Sequence, residues 1–416
     1  MTITEPTAPA PSGALAALNE LKERAAAEVE RRRDQLVGLS HDIHANPELS
    51  WEEFASSERI CALLEAEGFE VTRGAYGIPT AFEAVTGDGD LTLALCAEYD
   101  ALPGVGHACG HNVIAASGVG AALALAPVAA EAGLRVKLLG TPAEEHGGGK
   151  VSMLVAGAWE DADFSMMVHG MTGLDFTSSA AVFTAVDRFE VEFHGLTAHA
   201  AGAPEKGINA ASAATLAQTA IALLRQQLPK ATNLNAFVSL GGQATNIIPD
   251  HTVVQVELRA FDIDDWRDMK KRVLACFEGA AIATGCRWNW QPTEHPYAPM
   301  NPDPDLAALW DRNLAARGRE LGGTPVGGGS TDMGNVSQVV PSLHPMIAFL
   351  GEDAVHHNPD FAAAAATPAA DDAVVDGAVL LAWTALDAAC DDTLRAELHR
   401  RTAARPAGAT RITLEA

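Results

Sequence analysis

The chain has 416 residues, 48% of them hydrophobic, which is enough for two or three domains with a sizeable core and rules out a disordered polymer. Its formal charge of −26, from 54 acidic against 28 basic residues, argues against nucleic acid and against anionic membranes as partners. Cys61, Cys96, Cys109, Cys276, Cys286 and Cys390 are scattered without a close C-x-x-C pair, so no disulfide scaffold is expected. Residues 1–13 lack a basic start and an apolar core. They read as a Pro/Ala/Thr-rich flexible tail rather than a signal peptide, and a cytoplasmic protein is expected.

Residues 15–44 read as a charged helix ending near Asn46-Pro47, where proline disfavours continuation. A second helix spans 51–68, with Gly68 as its stop. Strands follow at 79–85 and 91–99, the latter nearly all apolar as a central strand should be. The Ala/Gly-rich run 113–133 is the longest apolar stretch, and it reads as part of a buried helix over 112–132 rather than a membrane span. Then come a strand at 134–140, a short helix at 152–156 and a strand at 164–168. This alternation predicts an α/β sheet with helices on both faces.

The pattern changes near Ala181. Strands at 182–194, 235–240, 252–261 and 287–291 enclose helices at 209–227 and 265–284, in the order β-α-β-β-α-β of a ferredoxin-like sandwich. The α/β character returns with a helix at 305–317, a strand at 345–350 and a helix at 368–389. The expected organisation is therefore a catalytic α/β domain from 14–180 and 298–416, with a central mostly parallel sheet flanked by helices. A ferredoxin-like α+β domain at 181–297 is inserted in it.

Chemistry-bearing residues gather where strands end. His107-Ala108-Cys109-Gly110-His111-Asn112 packs imidazoles and a thiol between a strand and a helix, and sulfur with imidazole nitrogen suits Zn²⁺ or a similar ion. Asp100, closing the apolar strand, can orient a metal-binding histidine by hydrogen bond, or simply be a solvated strand end. Glu144 and Glu145 follow the next strand; one of such a pair can bind metal while the other handles protons. His169 and His356-His357-Asn358-Pro359 lie at further strand ends, and loops there converge on one sheet edge. In the inserted domain, His199, Asn246 and Arg259 sit at strand ends or on a strand, each ordinary when taken alone. Gly327-Gly328-Gly329-Ser330-Thr331-Asp332 can pass close to a ligand or simply turn. Gly147-Gly148-Gly149-Lys150 lacks the spacing of a phosphate loop, and Gly104-x-Gly106 fails the dinucleotide fingerprint.

Taken in this order, the motifs resemble one family: the two-domain dinuclear-metal amidohydrolases and peptidases that include aminoacylases and glutamate carboxypeptidases. The Cys109-Gly110-His111 and Gly329-Ser330-Thr331-Asp332 segments resemble its branch of aminobenzoyl-glutamate hydrolases and β-alanyl-lysine-type dipeptidases. The resemblance implies that Cys109, His111, Glu145, His169 and His357 hold two divalent ions, Zn or Mn foremost and Co as a further choice. Glu144 would then be the general base, with Asp100 behind a ligand. His199 and Asn246 would reach the substrate across a homodimer, and Arg259 and Ser330 would help bind it. His107 is left as structural. Glu98, two residues before Asp100 where relatives with a His-x-Asp signature carry a ligand, is expected to be none. His357 is preferred to His356 because it directly precedes Asn-Pro. The reaction so implied is hydrolysis of the amide bond of a small N-acyl amino acid or dipeptide-like substrate by metal-activated water. A non-peptide C–N bond, or a non-catalytic metal or ligand binder, stands as the alternative.

Overall fold

The computed structural model describes residues 13–323, 328–409 and 414; most of the expected tail, and Gly327 of the glycine loop, lie outside these. The strands in chain order are β1 (Glu70–Arg73), β2 (Phe82–Thr86), β3 (Leu91–Ala97), β4 (Leu134–Gly140), β5 (Phe164–Met166), β6 (His169–Gly173), β7 (Ala185–His194), β8 (Thr232–Leu240), β9 (His251–Ala260), β10 (Arg287–Pro292), β11 (Ser342–Leu343) and β12 (Met346–Leu350).

The central sheet has the order β1-β2-β4-β3-β5-β11. Its β4, β3, β5 and β11 are parallel, and β1 and β2 form an antiparallel edge. The pairing of β5 with β11 resumes in the same register as β6 with β12, after a two-residue interruption on each strand. Every residue of β3 is buried, because helices cover both faces of a parallel sheet. Helix His111–Leu125 is buried along its whole length and packs against helix Pro368–Cys390. Glycine makes that approach possible: a Cβ on Gly120 would lie 2.8 Å from the Ala378 Cβ. Pro368–Cys390 is long and apolar enough to cross a membrane, but it is mostly buried in the core of this domain.

The second sheet, β10-β7-β9-β8, is antiparallel throughout, which is the ferredoxin-like order. Helices Ala210–Leu224 and Ile263–Thr284 cover one face around Phe189, Phe193 and Val254, giving this unit its own core. The other face is polar, as the strict burial alternation along β9 requires. The chain enters and leaves this unit side by side, with Val186 and Tyr297 bridging.

Several expectations need correction. The helix expected over 15–44 is two, Gly13–Arg31 and Arg33–Ala45, broken at Arg32, whose guanidinium binds Glu28 and Glu67. The helix over 112–132 ends at Leu125 near Pro127, with a separate turn at Ala129–Ala132. Strands β1, β6 and β11 were not anticipated; they are short, and β1 and β6 carry charged or glycine-rich sequence without a clear period.

Candidate metal centre

The parallel strands deliver their C-terminal ends to one edge, and the candidate residues meet there. Beyond β3 lie Glu98 and Asp100. Beyond β4 come Glu144 and Glu145. His169 opens β6, and His357 follows β12. Gly110, at φ 78°, turns the chain into helix His111–Leu125, so Cys109 and His111 straddle a left-handed residue that glycine adopts readily. Asn358 caps the next helix by accepting from the amides of Asp360 and Phe361, with Pro359 at its first turn. His357 stands just before this cap at φ 67°, and its amide donates to the Ala108 carbonyl at 2.8 Å, tying it to the Cys109 loop. Ala143 also has positive φ, at 59°, and its amide N–H donates to the buried Glu53 carboxylate at 2.8 Å. Backbone strain of this kind costs of order 1–3 kcal/mol per residue and concentrates where geometry is functional.

Cys109 Sγ lies 3.4 Å from His169 Nε2. One donor atom each from Cys109, His111 and His169 lie within 4.8 Å of one another, as do those of Cys109, Glu145 and His357, so the thiol is common to two ligand sets. His111 Nε2 is 3.9 Å from both Glu144 Oε2 and Glu145 Oε1, and His357 Nε2 is 3.6 Å from Glu145 Oε2. His356 instead points Nε2 at the Gly170 carbonyl, 3.3 Å away, and stacks on Phe361. His107 is buried with both ring nitrogens unpartnered and stays outside these sets.

The supporting bonds fix the ring nitrogens. His111 Nδ1 donates to Asp100 Oδ1 at 3.0 Å, leaving Nε2 to face Glu98 Oε2 at 3.5 Å and Glu144 and Glu145 at 3.9 Å. His169 Nδ1 donates to the Gly170 carbonyl at 2.7 Å, leaving Nε2 to face Cys109. Asp100 Oδ2 also accepts from Ser50 Oγ at 2.8 Å and the Glu145 amide at 3.0 Å. Burial opposes the charge on Asp100, but His111 and these donors hold its carboxyl well below the usual range. Burial and three neighbouring histidines, His344, His356 and His111, push His169 far below the usual imidazole value and keep it neutral. Burial raises the Cys109 thiol, and Glu145 adds to this. Glu144 is raised by burial and by the charges of Glu98, Glu145 and Asp332.

The residues present fit divalent ions. His111 Nε2, Glu98 Oε2 and Glu145 Oε1 are buried without hydrogen-bond partners, a costly arrangement that a cation among them relieves. A cation there also reverses the penalty on the buried thiolate. The donor set of sulfur, imidazole and carboxylate suits Zn²⁺ and its neighbours.

Glu98 was expected to be no ligand; its Oε1 is engaged by Lys150 Nζ, which also donates to Asp332 Oδ1 at 2.7 Å, while its unpartnered Oε2 faces His111 Nε2 at 3.5 Å. Sequence reading met Lys150 only as the end of a rejected phosphate loop and missed this role; the signal was a lysine at the start of the apolar run Val151 to Ala156. It also missed Tyr297, whose hydroxyl donates to the Glu144 carbonyl at 2.7 Å, and His344, buried with both nitrogens unpartnered and its ring centroid 5.6 Å from that of His169.

The remaining candidates lie apart from this centre. His199 is exposed, and its Nδ1 accepts from the Ala201 and Gly202 amides of its own loop at 3.2 and 3.0 Å. Exposed Asn246 is beside it, its carbonyl accepting from the Ala200 amide at 3.0 Å. Arg259 and Ser330 come together: Nη1 is 3.3 Å from the Ser330 hydroxyl and 3.1 Å from the Gly328 carbonyl, while Nε binds Glu257.

Comparison with known proteins identifies the family. Residues 94–382 match the model of peptidase family M20/M25/M40. The chain is 36% identical over 408 residues to an Xaa-Arg dipeptidase of Mus musculus, covering 92% of each chain. It is 32% identical over 278 residues to one of the subunits of the p-aminobenzoyl-glutamate hydrolase of Escherichia coli strain K12, covering 62% of this chain and 57% of that one. A dinuclear metal binding peptidase from Bacillus subtilis has the same fold, with a TM-score of 0.67 at 22% identity over 86% of this chain and 98% of its own. The chain belongs to peptidase family M20/M25/M40 and is a hydrolase acting on amide bonds.

Proposed function

We propose that the enzyme hydrolyses the amide bond of a dipeptide or small N-acyl amino acid at the Cys109 centre, with Glu144 as general base. The observation that carries this reading is the convergence of Cys109, His111, Glu145, His169 and His357 beside a second buried carboxylate, Glu144. Two divalent ions held there, Zn favoured by the thiolate and imidazoles or Mn by the carboxylates, would polarise the amide carbonyl and acidify water. Asp100 and the Gly170 carbonyl keep the free nitrogens of His111 and His169 turned inward. Glu144 accepts a proton at a carboxylate oxygen from the attacking water and returns it to the leaving amine. Glu145 faces His111 through one oxygen and His357 through the other, a ligand's posture. Arg259 and Ser330, bonded to each other at the junction of the two units, would grip a substrate carboxylate. Dipeptides ending in arginine or lysine head the substrate screen, given the Xaa-Arg dipeptidase among the relatives, with aminobenzoyl-glutamate and N-acyl amino acids beside them.

Dialysis against a chelator is expected to abolish hydrolysis, and Zn²⁺, Mn²⁺ or Co²⁺ to restore it. Full activity in protein shown metal-free by elemental analysis would refute the metal assignment.

His199 acts, on this reading, in the site of a partner copy. Its loop is exposed and binds itself rather than the centre of its own chain. The edge strand β8 exposes Phe237 and Leu240, and helix Ala210–Leu224 exposes Leu216 and Leu223, surfaces that invite pairing with a twin. His199 then donates to the developing oxyanion, and His199→Ala lowers kcat by about 10²–10³-fold. Mixing His199→Ala chains with Glu144→Gln chains is expected to recover activity, since one site of each mixed dimer carries neither lesion. Mixed dimers that form but stay inactive would place His199 in its own subunit's site or give it only a structural role.

A further inference from the structure

A second cluster of metal-binding side chains lies on the polar face of the inserted sheet, away from the Cys109 centre. His194 on β7 and His251 on β9 are register partners. Their rings are nearly parallel, with 5.0 Å between centroids and 5° between planes. Glu192, on the same face of β7, places Oε2 2.8 Å from His251 Nε2 and 3.4 Å from His194 Nε2. From β10, Asn289 brings Oδ1 to 3.0 Å from His194 Nε2. One donor atom each from Glu192, His194 and His251 lie within 4.8 Å of one another. An open cavity lined by His194, Arg287, Trp288 and Asn289 borders the cluster and leaves room for water ligands.

We propose that Glu192, His194 and His251 form a further binding site for a divalent transition-metal ion. Two imidazoles and one carboxylate make a borderline donor set that favours Zn²⁺, Cu²⁺ or Ni²⁺ over Mg²⁺ and Ca²⁺. The ligands stand on paired strands, so the geometry is fixed before the ion arrives. His251 Nε2 bonds Glu192 Oε2 and His194 Nε2 bonds Asn289 Oδ1, with both nitrogens within 3.4 Å of the one carboxylate oxygen, and an ion takes the place of the proton in each of these bonds. The site lies at the root of two functional segments. Gly195, next to His194, donates its amide to the carbonyl of Asp250, next to His251, at 2.7 Å. The segments beyond these residues carry His199 and Asn246. The site itself is independent of any role for those two.

The test is metal content of the full, untagged chain after dialysis against micromolar free Zn²⁺, read by elemental analysis. Wild type is expected to hold one more equivalent per chain than His194→Ala/His251→Ala, with the far-ultraviolet circular dichroism of the two alike. Glu192→Gln, which preserves shape and hydrogen bonding, is expected to weaken that extra equivalent in calorimetric titration. Equal metal content in wild type and double variant would overturn the proposal and leave the cluster as a hydrogen-bonded patch of the sheet. Retention of the extra equivalent in both variants would place the ion elsewhere and overturn it equally.

Discussion

Replacing Glu144 by glutamine is expected to lower kcat by about 10²–10⁴-fold, the scale of losing a general base, with metal content unchanged. The substitution keeps the shape of the side chain and removes its capacity to accept a proton. Its backbone stays in place because the Tyr297 hydroxyl holds the residue by its carbonyl. The two adjacent carboxylates are separable by surroundings. Glu145 reaches toward both His111 and His357, whereas Glu144 faces His111 on one side and the Glu98–Asp332 pair on the other. Steady-state kinetics with elemental analysis decides between them. A near-wild-type kcat would move the base elsewhere. Loss of metal would make Glu144 a ligand and hand the proton to Glu145.

Lys150→Met is expected to destabilise the fold by about 3–5 kcal/mol, the cost of stranding buried charge when one partner of an ion pair is removed. Lys150 is fully buried, as are Glu98 and Asp332, and its ammonium donates to both carboxylates. The Lys150 amide donates to Asp332 Oδ2 at 2.8 Å as well, which fixes the start of helix Gly149–Ala156 against the Asp332 loop. Gly149 lets the same helix start lie against the segment after β4, since a Cβ there would lie 1.8 Å from the Pro142 carbonyl oxygen. Urea unfolding followed by circular dichroism measures the effect. Adding Asp332→Asn to Lys150→Met should recover part of the loss, because one stranded carboxylate is then neutral. A change below about 1 kcal/mol, the range of an exposed ion pair, would show that the triad is not a buried charge network.

Most of the architecture was legible in the residues. The apolar run of β3 read as a central strand because both of its faces are covered, and the alternation in β9 read as a strand with one face wet. The change from strand–helix alternation to β-α-β-β-α-β marked a separate four-stranded unit, and that unit has its own sheet and core. Short elements without period escaped: β1, β6 and β11 are strands because neighbours offer hydrogen bonds, which no local pattern records.

The sequence by itself determined that a thiol, imidazoles and paired carboxylates would end successive strands, since their spacing follows the strand–helix alternation. Only the tertiary structure decided how they combine. It turned His357 rather than His356 toward Glu145, through a left-handed backbone anchored on the Cys109 loop. It bound one oxygen of Glu98 to Lys150, a residue 52 positions away, and left His107 outside the ligand sets. These outcomes depend on directions and distances between segments far apart in the chain. Packing and buried charge set them, and the local order of residues does not carry them.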